Sequence, residues 1–305
     1  MSNIEIVPVG YAAGAEVRGI DARRPLGKAE LKSVYDAWLK HVVLVFPGQD
    51  GLAAEQLLAF SRNFGTLDDH KSQPPAFLHD NHREILVVTN RMRGNKQSGT
   101  RNSGRNWHTD LSYSMAPAKG ALMLCVERPP VGGDTMFANM TIAYETLSPR
   151  MRAIVDEMEA VHDSLLIKGI EKRDPADIAE LRKRNPPVIH PMVRVHPETG
   201  RRSLLVGQRI SGIVGMADHE STAILKLLND HATSPEFVYR HRWRVGDIVM
   251  WDNRCSAHVA LADFDQTKPR YMLRCSLEGE ATGRIAEPAA TEERESLLQA
   301  VAAAA

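Results

Sequence analysis

Three residues of the chain have the types and the order of a metal-binding set. His108 and Asp110 form a His-x-Asp pair, and His258 follows far downstream, after a Trp-Asp-Asn segment at residues 251–253. Because residues i and i+2 of an extended strand project to the same side, we predict that His108 and Asp110 lie on a strand and bind one ion together. Two imidazoles and one carboxylate on one face of an ion leave its opposite face open, which is typical of non-haem Fe(II) sites that bind a cosubstrate and O2.

Other interpretations of these residues are open. His and Asp often make structural hydrogen bonds, so a His-x-Asp pair alone is a weak signal, and His258 taken alone could be a partly buried structural histidine. A His-Asp-His set also suits the zinc of a hydrolase, although the sequence supplies no obvious general base beside it. Six other histidines lack any such context and are interpreted as structural: His162, His190, His196, His219, His231 and His241.

The composition is that of an ordinary globular protein. The chain has 305 residues, of which 43% are hydrophobic and 25% charged. Lys plus Arg and Asp plus Glu number 38 each, so the net charge does not favour nucleic acid or a membrane surface as a partner. The first ten residues do not resemble a signal peptide, the apolar run at 42–46 is too short to span a bilayer, and the three cysteines have no CxxC spacing. We expect a cytoplasmic protein that forms a homo-oligomer.

Helices and strands are both predicted around the candidate site. The first helix is amphipathic, and its apolar stripe is Leu31, Val34, Tyr35, Trp38 and Leu39. A buried strand follows at residues 42–46, and a second helix carries its stripe over residues 53–64. Further strands are predicted at residues 84–89, 120–127, 135–138 and 248–251.

Three segments are predicted to lie outside the core. Residues 91–105 are rich in Gly, Asn, Ser, Lys and Arg, which indicates a mobile surface loop, and since this loop leads into the His-x-Asp pair we expect it to act as a lid. Residues 162–187 are interpreted as a charged insertion, and residues 281–305 as a frayed tail rich in Ala and Glu. One domain, residues 1–280, remains.

Together with their surrounding motifs, these residues resemble the TauD/TfdA family of Fe(II)- and 2-oxoglutarate-dependent dioxygenases. The shared features are NWHTD at 106–110, GGDT at 132–135, VRVHPETG at 193–200, WDNR at 251–254, the distal histidine and an Arg-x-x-x-Arg pair. The resemblance covers residues 47–279. It implies a mixed α/β chain whose mainly β core is a double-stranded β-helix, or jelly roll, with helices outside it. Periodicity alone does not predict that topology.

The resemblance also implies roles for individual residues. His108, Asp110 and His258 would bind Fe(II). Thr135 and Arg270 match the positions that hold the distal carboxylate of 2-oxoglutarate, and a guanidinium fork suits a carboxylate well. One departure is that residues 259–269, between the distal histidine and Arg270, are one residue longer than is usual in the family.

Two further residues are candidates for substrate binding. Arg274 matches the position that receives the anionic head of the substrate in relatives that act on sulfonates or carboxylates, and His70 is a weaker candidate. Residues i and i+4 of a strand lie about 13 Å apart, so one carboxylate cannot bridge Arg270 and Arg274. Arg274 would then be available for a second anion. The alternative is that Arg274 makes a structural salt bridge.

The implied activity is hydroxylation of a small organic anion, of the aryloxyalkanoate, sulfonate or alkyl sulfate type. It would consume O2 and 2-oxoglutarate and release succinate and CO2. A hypothesis of another class is a cupin-like protein that binds metal or ligand without turnover. An intact ligand set together with an intact cosubstrate anchor favours the enzyme, since a binding protein has no need for both.

Overall fold

A computed structural model describes residues 4–71, 73–93, 96–97, 104–166 and 174–286 of the chain. The strands, in chain order, are β1 (Glu5–Pro8), β2 (Ala15–Arg18), β3 (Val43–Phe46), β4 (Ile85–Thr89), β5 (Met92–Arg93), β6 (Lys96–Gln97), β7 (Gly120–Glu127), β8 (Thr135–Asn139), β9 (Glu159–His162), β10 (Val188–Pro191), β11 (Val193–Val195), β12 (Arg202–Leu204), β13 (Ile210–Ile213), β14 (Val238–His241), β15 (Ile248–Asp252), β16 (Ser256–Ala260), β17 (Tyr271–Leu277) and β18 (Arg284–Ile285). The helices are α1 (Lys28–His41), α2 (Ala54–Ser61), α3 (Met140–Glu145), α4 (Pro149–Val155), α5 (Pro175–Arg184) and α6 (Asp218–Ala232).

A seven-stranded sheet in the order β1-β2-β3-β15-β7-β17-β4 is the largest layer. Its neighbours pair antiparallel, except for β2 and β3, which are parallel. Strands β3 and β15 are buried along their whole length, which explains why their sequences are continuous apolar runs rather than alternating patterns. The fold class is therefore mixed α/β with mainly sheet content.

Helices α1 and α2 cover one face of this sheet. Trp38 of α1 is fully buried and makes an edge contact with Phe64, whose ring centroid lies 6.3 Å away. Phe60 of α2 packs in the same way on Phe46 of β3. The apolar stripes predicted for both helices thus face the core, and the first predicted helix is confirmed.

A three-stranded sheet in the order β14-β8-β16 packs against the other face. Phe137 of β8 lies between the two layers, with its ring 5.6 Å from that of Trp251 in β15 and 5.9 Å from that of His258 in β16. Helices α3, α4 and α6 form a separate core with β9, β12 and β13. The candidate site lies where the two sheets face each other.

The prediction that His108 and Asp110 lie on one strand is wrong. His108 forms an isolated bridge to His258, through backbone hydrogen bonds of 3.1 and 2.9 Å. The chain then turns from Asp110 onward, and Leu111 has a left-handed backbone with φ of 52°. Because one bridge does not fix a pleat, the alternation of a strand does not determine where the Asp110 side chain points.

The predicted surface segments are described only in part. Residues 94–95 and 98–103 of the predicted lid, residues 167–173 of the predicted insertion and residues 287–305 of the predicted tail lie outside the described residues. The rest of the insertion contains α5, which begins at Pro175 after the N-capping side chain of Asp174. Among the described residues, no helix has both the length and the apolar character that a bilayer crossing requires.

Candidate active site

The two histidines and the aspartate of the predicted metal set converge in the structure. His108 Nε2 lies 3.7 Å from one carboxylate oxygen of Asp110, and His258 Nε2 lies 3.8 Å from the other. All three donor atoms lie within 4.8 Å of one another. These separations are too long for hydrogen bonds, yet the groups are largely shielded from water. A cation between them would satisfy all three.

The protonation states of the two histidines suit metal binding. His108 Nδ1–H donates to the carbonyl oxygen of Asn106 at 2.8 Å, so the lone pair resides on Nε2, the atom that faces Asp110. Burial lowers the pKa of His108 and lowers that of His258 to about 3. Both rings are therefore neutral at physiological pH, as a metal ligand must be.

Asp110 supplies the negative charge of the set. Burial alone would raise the pKa of this carboxyl group, but the Arg274 guanidinium, 2.8 Å from Oδ2, opposes this effect, and the pKa lies at about 2. The resulting set of two neutral nitrogens and one carboxylate is that of the 2-His-1-carboxylate Fe(II) sites, so the residues fit the metal.

A cavity of about 710 Å³ opens from this set between the two sheets. It is lined by all seven residues predicted for the site: His70, His108, Asp110, Thr135, His258, Arg270 and Arg274. The volume lies within the range of small-molecule sites. Residues that are distant in sequence thus share one chamber.

Arg270 is a buried cation in this cavity. The residue is 7% exposed, and its Nε–H donates to the carbonyl oxygen of Gly133 at 3.1 Å. Burial lowers its pKa to about 10, which leaves it charged at neutral pH. Within the described part of the chain, Arg270 has no carboxylate partner within 4.0 Å. Since a buried charge without a partner is costly, an anionic ligand is the natural partner.

Thr135 is oriented to donate a hydrogen bond. Its Oγ1 accepts a hydrogen bond of 3.0 Å from the indole Nε1–H of Trp243. Because an indole only donates, the hydroxyl hydrogen of Thr135 can point elsewhere. Thr135 and Arg270 line the same cavity, so both can donate to one carboxylate.

Arg274 makes an ion pair, as the alternative interpretation of this residue predicted, and its partner is Asp110, one of the three predicted metal ligands. Arg274 Nη2 lies 2.8 Å from Asp110 Oδ2 and also donates to Ser276 Oγ at 3.2 Å. Its guanidinium lies 5.5 Å from the ring centroid of Trp251. Arg274 still lines the cavity, so the ion pair is formed at the edge of the ligand space.

His70 is buried at the cavity wall in a strained conformation. It has a left-handed φ of 52°, and burial lowers the pKa of its ring. Its Nε2 has no hydrogen-bond partner among the described residues. Strained residues with unpartnered polar atoms are concentrated at ligand sites.

Arg209 and Tyr113 are among the cavity residues that sequence reasoning missed. The Arg209 guanidinium lies 5.4 Å from the ring centroid of Tyr113, and its Nη1 donates to the carbonyl oxygens of Ser164 and Leu166. Burial raises the pKa of the Tyr113 hydroxyl, which therefore keeps its proton. Neither residue belongs to a recognisable motif, so the sequence gives no signal for them.

A second group of potential ligands is structural. His196, Asp252 and Cys255 also bring their donor atoms together. However, His196 Nδ1 accepts hydrogen bonds of 3.2 Å from the backbone N–H groups of Glu198 and Thr199, and Nε2 lies 3.0 Å from Asp252. Burial raises the pKa of the Cys255 thiol far above its usual value. No ring lone pair and no thiolate remain for a metal.

Comparisons with known proteins all identify one family. The sequence model of the family described as "Taurine catabolism dioxygenase TauD, TfdA family" matches residues 5–276. The chain is 36% identical, over 81% of its length and 88% of the relative, to an alpha-ketoglutarate-dependent 2,4-dichlorophenoxyacetate dioxygenase of Cupriavidus pinatubonensis. It is 33% identical, over 88% of its length and 83% of the relative, to an alkylsulfatase of Acinetobacter baylyi.

Solved structures show the same similarity. The structure of AAD-2 in complex with Mn(II) and N-oxalylglycine has a TM-score of 0.79 and 31% identity, and the match covers 92% of this chain and 98% of that one. A putative alpha-ketoglutarate-dependent taurine dioxygenase from Burkholderia xenovorans has a TM-score of 0.78 and 32% identity, with 93% and 98% of the two chains covered.

Proposed function

The chain belongs to the TauD/TfdA family, and we propose that it hydroxylates a small organic anion of the aryloxyalkanoate, sulfonate or alkyl sulfate type. It is an Fe(II)- and 2-oxoglutarate-dependent dioxygenase that couples oxidation of its substrate to decarboxylation of 2-oxoglutarate to succinate and CO2. The observation that carries the proposal is that Arg270 is buried in the same cavity as His108, Asp110 and His258. Among the described residues, Arg270 has no carboxylate partner.

His108, Asp110 and His258 would hold the metal from one side and leave the side toward the cavity open. Fe(II) bound with 2-oxoglutarate supplies the chemistry that activates O2. Arg270 would receive the distal carboxylate of 2-oxoglutarate in its planar fork, and Thr135 would add a hydroxyl donor. The protein's part is to orient the cosubstrate and the reacting C–H bond and to exclude water.

The charge of the cavity supports an anionic substrate. Its described lining contains six cationic side chains: Lys71, Arg83, Arg184, Arg209, Arg270 and Arg274. Two acidic side chains, Asp110 and Asp177, also line it. Arg270 is assigned to 2-oxoglutarate. Arg274 and His70 would bind the head group of the substrate. Arg274 would then serve two partners, the carboxylate of Asp110 and the substrate.

Substrate-dependent succinate formation tests the function. The protein would be supplied with Fe(II), 2-oxoglutarate and O2 and assayed against a panel of aryloxyalkanoates, sulfonates and alkyl sulfates. We expect at least one class to stimulate succinate release above the level without substrate. Tight binding of panel members without stimulation would favour the non-catalytic, cupin-like protein instead.

Arg274→Ala tests the substrate site. We expect a raised KM for the anionic substrate with 2-oxoglutarate affinity retained. Efficient oxidation of a neutral ester in preference to its free acid would contradict the anion-binding role. Arg62→Ala, which removes an exposed arginine paired with Glu84, is a matched control.

We also propose the core topology, the domain organisation, the cellular location and the oligomeric state of the protein. The two facing, mainly antiparallel sheets support a jelly-roll core, which an experimental structure would test. A single domain over residues 1–280 would survive limited proteolysis that removes the tail. Three buried, unpaired cysteines are in keeping with a reducing cytoplasm, testable by cell fractionation. A homo-oligomer would be detected by analytical ultracentrifugation.

A further inference from the structure

We propose that two side-chain amides, Asn253 and Asn90, are positioning residues that separately fix the metal ligand Asp110 and the cosubstrate anchor Arg270. The inference rests on the proposed function, because it takes these two residues as the metal ligand and the anchor. Neither amide touches the ligand space directly. Each acts through the backbone of the residue that does.

Asn253 clamps the main chain of Asp110 from both sides. Its Oδ1 accepts from the Asp110 N–H at 2.8 Å, and its Nδ2 donates to the Asp110 carbonyl oxygen at 3.0 Å. The second amide hydrogen goes to the carbonyl oxygen of Ala118 at 2.7 Å. Asn253 is completely buried, so water cannot replace these bonds. The amide thus takes the part that a neighbouring strand would take in a ladder.

Asp110 needs this clamp because it lies where regular structure ends. His108 and His258 hold each other directly through reciprocal backbone hydrogen bonds, whereas Asp110 starts a turn and is followed by the left-handed Leu111. Two of the three predicted ligands are therefore fixed to each other by a backbone bridge. The third is fixed by a side chain.

Asn253 is itself held rigidly. Its backbone N–H donates to the carbonyl oxygen of Lys119 at 3.1 Å, and its carbonyl oxygen accepts from Arg194 Nη2 at 2.9 Å. It follows Asp252, the last residue of β15. The clamp is therefore anchored on the large sheet, while Asp110 belongs to a turn.

Asn90 makes the corresponding contacts at Arg270. Its Oδ1 accepts from the Arg270 N–H at 2.8 Å, and its Nδ2 donates to the carbonyl oxygens of Gln266 and Lys268 at 3.1 and 2.9 Å. Arg270 immediately precedes β17, whose register against β7 shifts between Tyr271 and Met272. As at Asp110, an asparagine side chain fixes a functional residue just outside a regular strand.

The test is a crossed comparison of two variants and two ligands. Asn253→Ala and Asn90→Ala would be titrated with Mn(II) alone and then, with Mn(II) saturating, with 2-oxoglutarate, and no substrate or turnover is needed. We expect Asn253→Ala to weaken Mn(II) binding roughly 10- to 100-fold, as is typical of residues that orient metal ligands. We expect Asn90→Ala to leave Mn(II) affinity unchanged and to weaken 2-oxoglutarate binding roughly 10-fold.

Two controls separate positioning from general stability. Asn229→Ala removes an amide that donates to the Leu225 carbonyl in α6 and should change neither affinity, because the buried residues of α6 belong to the separate core and no residue of this helix lines the cavity. Asn253→Asp and Asn90→Asp keep the oxygen that accepts from the backbone N–H, so each should recover part of the affinity that its alanine variant loses. The aspartate variants also serve if an alanine variant does not fold.

Several outcomes would overturn the inference. One is that either Asn253 variant binds Mn(II) like the parent, or that either Asn90 variant binds 2-oxoglutarate like the parent. Another is that both affinities fall equally in both variants in proportion to a lowered Tm, since that indicates a purely structural role. A parent protein that binds neither ligand would instead refute the proposed function, and this inference with it.

Discussion

At the scale of single residues, the histidines illustrate how environment decides role. His258 and His241 are both buried and both lie near a carboxylate. His241 Nε2 lies 3.2 Å from Asp247, and its Nδ1 is 3.0 Å from the hydroxyl of Tyr239. His258 Nε2 is 3.8 Å from Asp110 and faces a cavity and a second imidazole. The first ring has a polar protein group within 3.2 Å of each nitrogen, while the second has the longer spacing expected of a metal ligand.

We therefore predict opposite results for two histidine variants. His258→Ala should abolish both Mn(II) binding and substrate-dependent succinate formation, because two remaining ligands hold the ion poorly. His241→Ala should keep Mn(II) affinity, although it removes a ring of similar burial. Metal titration followed by electron paramagnetic resonance measures both. Parent-like Mn(II) binding by His258→Ala would show that the ligand set is wrong.

A second prediction concerns Arg270. Arg270→Ala should weaken 2-oxoglutarate binding by roughly 2–5 kcal/mol, because it removes one partner of a charge-assisted pair in a shielded cavity. Arg270→Lys should give an intermediate loss, since it keeps the charge but not the planar fork. Mn(II) affinity should be unchanged in both. If calorimetry finds an unchanged Kd for 2-oxoglutarate, the anchor is another arginine, and Arg274 is the first to examine.

At the scale of elements, the hydrophobic pattern of the sequence predicted the helices and strands in which that pattern is strong. The stripe from Leu31 to Leu39 lies in α1, and the apolar run at 120–127 corresponds to β7. The strand predicted for His108 and Asp110 failed because the spacing of two residues does not distinguish a strand from a clamped turn. The contact that orients Asp110 joins residues 143 positions apart, and a single sequence contains no trace of it.

Hydrogen bonds to the carboxylate of Asp252 also stabilise the turn between β15 and β16. Asp252 accepts from Arg254 at 2.9 and 2.7 Å and lies 3.0 Å from His196, beyond the end of β11. Burial would raise the pKa of Asp252, but its hydrogen bonds to Arg254 and His196 outweigh burial and lower it. A carboxyl group whose pKa is lowered by folding stabilises the protein above its unfolded pKa, about 3.9, and this contribution is lost as pH falls.

Asp252→Asn should accordingly lower the Tm at pH 7 and reduce the further loss of stability below about pH 4. The exposed pair of Lys32 and Asp36 in α1 offers a matched control, since Asp36→Asn should change the Tm little. Thermal unfolding of the parent and both variants between pH 7 and pH 3 measures the effect. Equal acid sensitivity of the parent and Asp252→Asn would contradict the role of this carboxylate.

At the scale of the whole molecule, charge is distributed in a way that composition conceals. The chain has no net charge, yet cations outnumber acids six to two among the described residues that line the cavity. Since both sheets contribute to this lining, unfolding of either layer should dismantle the site. Arg274 lies in β17 of the large sheet and Arg270 just before this strand, Thr135 and His258 lie on the three-stranded sheet, and Asp110 lies in the turn that follows the bridge between His108 and His258.

Ligand binding should for this reason stabilise the chain as one unit. Mn(II) and 2-oxoglutarate at about 100 times their Kd should each add about 2.7 kcal/mol of stability, because each binds the folded state and not the unfolded chain. For a domain of this size the gain corresponds to a rise in Tm of roughly 5 °C, seen as a shift of a single calorimetric transition. Arg270→Ala should keep the rise caused by Mn(II) and lose the one caused by 2-oxoglutarate. Two separate transitions, of which ligands shift one, would instead show that the site belongs to an independently folding part of the chain.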